Sequence, residues 1–178
     1  MSTAHSALWP FDPERAEPPL PAGAVRWRLV VAEQPDLAAA VSARFEATKH
    51  HVLATLRADG SPRVSGTEVI VGDDWTIGSM WQAVKAKDLL ADGRFALHAN
   101  PGDGDMVGGD AKVSGVATPI TGALAVAVAG GLPQEVPEPF HLFRLDLTQV
   151  VLSEVDHDRN VMIIRSWRPG KGLVTTER

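Results

Sequence analysis

The stretch LATLRADGSPRVSGTEVIV, residues 53–71, decides the fold of this chain. Two β-rich runs flank the turn sequence Ala-Asp-Gly at 58–60, and a third run follows Gly-Asp-Asp at 72–74. An Asp-Gly pair between alternating apolar runs is a strong hairpin signal, because glycine tolerates the left-handed backbone conformation that such a turn requires. We therefore predict a three-stranded antiparallel meander over residues 50–79.

Helical patterns flank this meander on both sides. From Pro35, the segment PDLAAAVSARFEATKH spaces its apolar residues along one helix face, with proline in the first turn, where its missing N–H costs nothing. After the meander, WQAVKAKDLLADG (81–93) has helix-forming composition and ends at a glycine. RFALHAN (94–100) then predicts a short strand, and the glycine-rich PGDGDMVGG (101–109) predicts a loop.

The C-terminal part of the chain is again mainly strand. AKVSGVATPI (111–120) alternates as a strand does, TGALAVAVAGGLP (121–133) predicts a short helix, and QEVPEP (134–139) predicts a connector. FHLFRLDLTQVVLSEV (140–155) and VMIIRSWRP (161–169) predict further strands. The chain is therefore predicted to be α+β and mainly antiparallel β: a six- to seven-stranded split β-barrel with short flanking helices, since closure removes exposed strand edges.

A length of 178 residues is enough for one hydrophobic core and short for two. Residues 1–24 contain a cluster of prolines with little periodic apolar pattern, which predicts an extended or disordered N-terminal arm. Residues 25–178 are then expected to form a single split-barrel domain.

Composition excludes several functional classes. The chain has no cysteine, so disulfides and thiolate chemistry are absent, and redox activity would need a cofactor. With 17 basic and 22 acidic side chains the net charge is -5, which disfavours nucleic-acid binding. No run has signal-peptide character or approaches the roughly 20 apolar residues that cross a bilayer, so a cytoplasmic protein without membrane contact is expected.

The chain resembles the split-barrel flavoproteins of the pyridoxamine 5'-phosphate oxidase-like superfamily in three segments. In chain order these are LATLRADGSPRVSGTEVIV, TIGSMWQAVKAKDLL and AKVSGVA. The resemblance covers roughly residues 36–118 well, and the C-terminal strands less specifically. It implies a flavin-dependent oxidoreductase that binds FMN at the interface of a homodimer and acts on a small-molecule redox substrate. The hydride or electron transfer would belong to the flavin, so no side chain is assigned as catalytic.

The resemblance also implies which residues hold the cofactor. In the family the second strand lines the flavin and its phosphate tail, and a hydroxyl residue and a helix lysine lie against the phosphate. The matching positions are Arg63, Val64, Ser65, Gly66 and Thr67, then Ser79 and Lys85. Cations, hydroxyl donors and a helix N-terminus are what a dianionic phosphate requires. Trp167 and Arg168 resemble positions that reach the flavin from the second subunit, and Trp81 could cover the ring or shield the dimer seam.

The chain departs from the true pyridoxamine phosphate oxidases at several points. Ala83 and Val84 occupy the positions of a serine-arginine pair that contacts the phosphate, and the chain has no tyrosine for the substrate phosphate. We therefore do not predict vitamin B6 oxidation. Relatives with a similar first segment use a deazaflavin coenzyme, whose anionic tail Arg63, Lys85 and Lys87 would serve equally well.

Other functional hypotheses remain open from the sequence. A non-catalytic flavin or haem carrier or sensor could use the same pocket, with His98 and His141 as the isolated candidates for an iron ligand. A barrel that has lost its cofactor could persist as an interaction module.

No metal site is predicted. His50 and His51 are neighbours and suit helix capping better than shared coordination. Asp103, Asp105 and Asp110 lie in or beside the 101–109 loop, but the glutamate that an EF-hand loop uses as its last calcium ligand is missing.

Overall fold

The computed structural model describes residues 18–101, 106, 108–130 and 138–178. In chain order the elements within these ranges are α1 (Trp27–Glu33), α2 (Pro35–Glu46), β1 (His51–Leu56), β2 (Pro62–Thr67), β3 (Val69–Ile70), β4 (Thr76–Met80), α3 (Val84–Ala91), β5 (Arg94–His98), β6 (Asp110–Ile120), α4 (Gly122–Gly130), β7 (Phe140–Asp156), β8 (Val161–Arg168) and β9 (Gly172–Glu177).

The strand order shows why the sheet closes on itself. Hydrogen-bonded neighbours run β2-β1-β5-β6-β7-β4-β3, and every pair is antiparallel. The strands at the two ends of this order, β2 and β3, are separated in the chain by Glu68 alone. Because one residue cannot span a flat sheet, the ends must meet, and the sheet curls into a barrel. The predicted α+β split barrel is confirmed.

The strand count exceeds the predicted six or seven. The second predicted run, 61–71, is divided into β2 and the two-residue β3, and β4 is the third run, after the turn sequence at 72–74. The prediction of a three-stranded meander is wrong, because β2 pairs with β1 while β4 pairs with β3 and β7, so β2 and β4 are not neighbours. Strand β9, which was not predicted, pairs with β8 and extends the sheet away from the barrel. Its residues are mostly exposed, so it carries little of the alternation that marks a half-buried strand.

Helix α1 was also not predicted, although α2 begins at Pro35 as expected. The seven residues of α1 are too few for a clear period, and packing supplies what propensity does not. Trp27 and Val30 are buried, and the Trp27 ring lies 4.4 Å from that of Trp75, which in turn lies 4.7 Å from Phe45. Burying each such side chain contributes roughly 1.5–3 kcal/mol.

A buried ion pair ties the barrel wall to the entering chain. Arg144 and Asp146 of β7 are 2 % and 0 % exposed, and the Arg144 Nε donates to Asp146 Oδ1 over 2.7 Å. The Thr118 hydroxyl of β6 also donates to Asp146. A second guanidinium nitrogen of Arg144 donates to the Pro18 carbonyl over 3.2 Å. This contact fixes the first described residue of the predicted arm, whose residues 1–17 lie outside the described ranges.

Two predicted connections fall partly outside the described residues, namely positions 102–105 and 107 of the glycine-rich loop and positions 131–137 before β7. The predicted helix between the last two barrel strands is present as α4. Among the described helices none is long and apolar enough to cross a bilayer.

Candidate functional site

Strand β2 presents two different faces. Its residues alternate in exposure, so that Arg63, Ser65 and Thr67 point toward the more buried side while Val64 and Gly66 point outward. The register with β1 causes this, because the inward residues pair with Thr55, Leu53 and His51, whose side chains are buried. The outward side of β2 is open: Val64 is 71 % exposed, and a Cβ on Gly66 would meet no atom within 4 Å.

The inward arginine is held by a buried carboxylate. Asp88 of α3, 7 % exposed, accepts hydrogen bonds on one oxygen from the Arg63 Nε at 2.6 Å and the Thr55 hydroxyl at 2.8 Å. This arrangement fixes α3 against β1 and β2 and orients the guanidinium. Because arginine carries five N–H donors in a planar fork, its terminal nitrogens can still reach an anion.

The predicted phosphate lysine lies against the same strand. The Lys85 ammonium donates to the Gly66 carbonyl over 2.7 Å. Burial lowers the pKa of Lys85, and the Glu68 carboxylate opposes that effect. An ammonium group has three donors, so it can hold the carbonyl and a ligand oxygen together. The structure thus brings two of the predicted contact residues, Lys85 and Gly66, together.

Ser79, the residue before the end of β4, is in a position suited to a ligand contact. It pairs directly with His141 of β7, so the two side chains lie on the same face of the sheet. The Ser79 Oγ and the His141 Nε2 are both buried and, within the described part of the chain, neither has a hydrogen-bond partner. The Thr67 Oγ1 is in the same state. Unsatisfied buried polar atoms are rare and costly, so these groups fit a site completed by a ligand.

An aromatic side chain lies on His141, the strand partner of Ser79. The Trp81 ring stacks on that of His141 with centroids 4.8 Å apart and planes at 17°. The next residue, Gln82, has φ +64, a left-handed conformation unusual for a residue other than glycine. Burial, followed by the nearby Lys87 ammonium, lowers the pKa of His141, which favours the neutral imidazole.

The N-terminus of α3 follows directly. Its N-cap is Ala83, whose methyl group cannot accept a hydrogen bond from the first backbone N–H groups of the helix. A helix end of this kind still carries partial positive charge. Lys85 and Lys87 are two positions apart on α3, so their side chains lie on roughly opposite sides of the helix. Lys85 contacts β2, and the Lys87 ammonium is near enough to lower the pKa of His141 on β7.

Trp167 is not brought to this group. Its side chain is fully buried in the core of its own subunit, on β8 between Val150 of β7 and Leu173 of β9. Its Nε1 is buried and, among the described residues, has no hydrogen-bond partner, so a contact between Trp167 and a cofactor stays a prediction. Arg168, the next residue, is exposed.

The haem ligand candidates differ in availability. The His98 Nδ1 lies within hydrogen-bond distance of the Ala99 carbonyl, and its Nε2 is 3.9 Å from Asp110. His141 is covered by Trp81. His51 contacts the Phe45 carbonyl of the last turn of α2 at 2.8 Å, in agreement with the predicted capping role. Within the described ranges no group of three potential metal ligands converges.

Asp88 and Thr55 had no predicted role, and His141 was predicted only as a candidate iron ligand. The signal for Asp88 was its place three residues after Lys85 on a predicted helix, which puts both on one side. Nothing local indicates that His141 lies beside Ser79, because 62 positions separate them and only strand pairing brings them together.

Comparison with known proteins supports the fold assignment. No protein-family model matches the sequence, and no curated protein matches it significantly. Among solved structures, PhzG from Burkholderia lata 383, determined with tetrahydrophenazine-1-carboxylic acid, has a TM-score of 0.57 at 16% identity and covers 84% of this chain and 91% of its own. A pyridoxamine 5'-phosphate oxidase-related, FMN-binding protein from Nostoc punctiforme PCC 73102 has a TM-score of 0.57 at 14% identity, covering 82% of this chain and 95% of its own. The chain therefore has the split-barrel fold of the pyridoxamine 5'-phosphate oxidase-like, FMN-binding proteins.

Proposed function

We propose that this chain binds flavin mononucleotide beside β2 and the start of α3 and is an oxidoreductase for a small-molecule substrate. The observation that carries the proposal is that two cations lie at β2, Arg63 on the strand and Lys85 bonded to its Gly66 carbonyl, while the Ser79 hydroxyl near the end of β4 has no partner among the described residues. A phosphate monoester is the ligand that such a set of cations and hydroxyl donors suits. The fold's FMN-binding neighbour supports the same ligand class.

Each part of the site has a separate task in this proposal. Arg63, oriented by Asp88, and Lys85, anchored on the Gly66 carbonyl, would hold the phosphate. The outward side of β2 at Val64 and Gly66 is apolar and open, which lets a planar ring lie close to the backbone. When bound, a flavin supplies the hydride or electron transfer, and the protein supplies position and electrostatics.

The same surface supports a homodimer with the cofactor at its interface. Exposed apolar side chains occur along the outward side of the site: Val52 at 38 %, Val64 at 71 %, Met80 at 82 % and Val84 at 53 % exposure. Contiguous exposed apolar surface marks ligand or protein contacts. A second copy would cover these side chains and the ring together. We propose a cytoplasmic location, because a chain without cysteine depends on no disulfide and so fits a reducing compartment.

The first test is the cofactor itself. Purified protein is examined for flavin absorbance and then titrated with flavin mononucleotide and with the deazaflavin coenzyme, using tryptophan emission as the signal. We expect flavin mononucleotide to bind, and Lys85→Ala to weaken it by at least about tenfold through loss of a charged hydrogen bond. Lys171→Ala, in the exposed turn before β9, is the control.

Each outcome has a definite meaning. Binding of the deazaflavin coenzyme alone would move the assignment to a deazaflavin-dependent reductase. Binding of neither would contradict the proposal and favour a barrel that has lost its cofactor. If Lys85→Ala and Lys171→Ala bind equally, the site lies elsewhere.

The dimer has an independent test. Light scattering after size exclusion at micromolar concentration should give twice the monomer mass. Val64→Glu places a charge in the proposed interface and should shift the protein to monomer, whereas Val174→Glu, at a position 58 % exposed on β9, should not. A monomeric wild-type protein would contradict the dimer proposal.

A further inference from the structure

Two neighbouring buried polar atoms need an explanation, one on the predicted contact residue Ser79 and one on His141, which was outside the predicted contact set. His141 is nine-tenths buried, yet its Nε2 has no hydrogen-bond partner among the described residues, and the neighbouring Ser79 Oγ is equally unsatisfied. The two residues are a directly opposed strand pair, so their side chains are adjacent. They do not bond each other. A third polar group between them would satisfy both.

The charge around this pair identifies the kind of group that fits. The Lys87 ammonium of α3 is close enough to act electrostatically on His141. The uncapped N-terminus of α3 adds partial positive charge. A hydroxyl and an imidazole N–H are both donors to an anion, and imidazole can also take up a proton. An oxyanion therefore fits this pair better than a cation or an apolar group.

The pair is closed in the present structure. Trp81 stacks on His141, and the segment that carries it includes the left-handed Gln82. A hydroxyl and an imidazole nitrogen that are buried without a protein hydrogen-bond partner are unfavourable. Moving the indole aside to admit an oxyanion would remove that cost.

We propose that His141 is a second contact for the ligand's phosphate beside Ser79, and that Trp81 covers this pair until the phosphate enters. This inference rests on the proposed flavin site, which it extends toward β7. Lys85 then serves the β2 side of the phosphate and Lys87 the β7 side. His141 is a binding residue in this arrangement, and it takes no part in electron transfer.

The test compares two ligands that differ only in the phosphate. Wild-type protein, His141→Leu and Ser79→Ala are titrated with flavin mononucleotide and with riboflavin. Either substitution removes a donor and should weaken flavin mononucleotide binding about tenfold while leaving riboflavin binding unchanged, as expected for loss of one charge-assisted hydrogen bond. His157→Leu, in the exposed turn after β7, is the matched control. Equal affinities in all variants, with wild-type protein binding flavin mononucleotide, would overturn the inference and leave the proposed function intact.

A second measurement does not depend on the flavin. Inorganic phosphate is added to about 50 mM against matched chloride, a range that detects millimolar binding, while the histidine ring signals are followed by NMR. The His141 signal, identified by its absence in His141→Gln, should shift, and Ser79→Ala should abolish the shift. Emission should change in wild-type protein and not in Trp81→Phe. If His141 shifts no more than the exposed His157, the inference is wrong, whether or not a flavin binds.

Discussion

Asp88 offers the sharpest test of how the site is held together. It is the buried carboxylate that joins α3 to β1 and β2, through the Thr55 hydroxyl and the Arg63 Nε. The substitution Asp88→Asn keeps the size and one acceptor oxygen but removes the charge. The change therefore isolates the ionic part of the contact, without opening a cavity.

The expected magnitude follows from burial and geometry. The carboxylate is 7 % exposed and its distance to Arg63 is 2.6 Å, so screening by water is weak. A charged hydrogen bond of this kind contributes about 1.5–3 kcal/mol, and the unpaired Arg63 cation adds to the loss. We expect the free energy of unfolding to fall by about 2–3 kcal/mol, which for a chain of this size lowers the melting temperature by about 4–12 °C.

The assay is urea unfolding and thermal melting of wild-type protein, Asp88→Asn, Arg63→Gln and the double variant. Asp92→Asn is the control, since Asp92 also pairs with an arginine, Arg94, but in solvent. The control should melt as the wild type does. A double-mutant coupling energy between Asp88 and Arg63 near zero, or equal losses in Asp88→Asn and Asp92→Asn, would refute the reasoning.

Three further outcomes are expected from other parts of the molecule. Arg144→Met removes the cation 2.7 Å from the buried Asp146 carboxylate, which keeps the Thr118 hydroxyl and the Arg26 Nε at 3.9 Å, and should cost about 3 kcal/mol of unfolding free energy. A loss below about 1 kcal/mol in urea unfolding would contradict a buried pair. Gly115→Ala would place its Cβ 1.9 Å from the Asp146 carbonyl oxygen, so β6 must shift and the melting temperature should fall markedly; an unchanged melting temperature argues against that close approach. Burial and Lys87 lower the pKa of His141, so this residue binds fewer protons in the folded protein than in the unfolded chain. Its contribution to stability is therefore complete above about pH 6.5 and is lost as the pH falls. The difference in unfolding free energy between wild type and His141→Gln should therefore shift against the wild type on acidification, and a constant difference between about pH 7.5 and 5 would contradict this.

The amino-acid sequence determined those features that depend on neighbouring residues. The Asp-Gly turn at 58–60 and the alternation on either side specify a hairpin, because turn chemistry and side-chain period act over a few positions. The start of α2 at Pro35 and the helix after β4 follow from local composition in the same way. The barrel itself was predictable from the number of antiparallel strands and the need to remove edges.

Other features depended on contacts between distant parts of the chain. Helix α1 has too few residues for a period of its own, and it exists because Trp27 packs on Trp75. Trp167 has the same local pattern whether it faces a ligand or the core, and its burial in this chain follows from the pairing of β8 with β7 and β9.

The site divides in the same way. Resemblance identified Arg63, Ser79 and Lys85 as candidates, and their positions on a strand, a strand end and a helix start were predictable from local pattern. That Asp88 orients Arg63, and that His141 lies beside Ser79 beneath Trp81, was decided only by tertiary structure. Strand register and helix docking are set by burial of the whole core, and no local sequence pattern records which distant side chains that burial brings together.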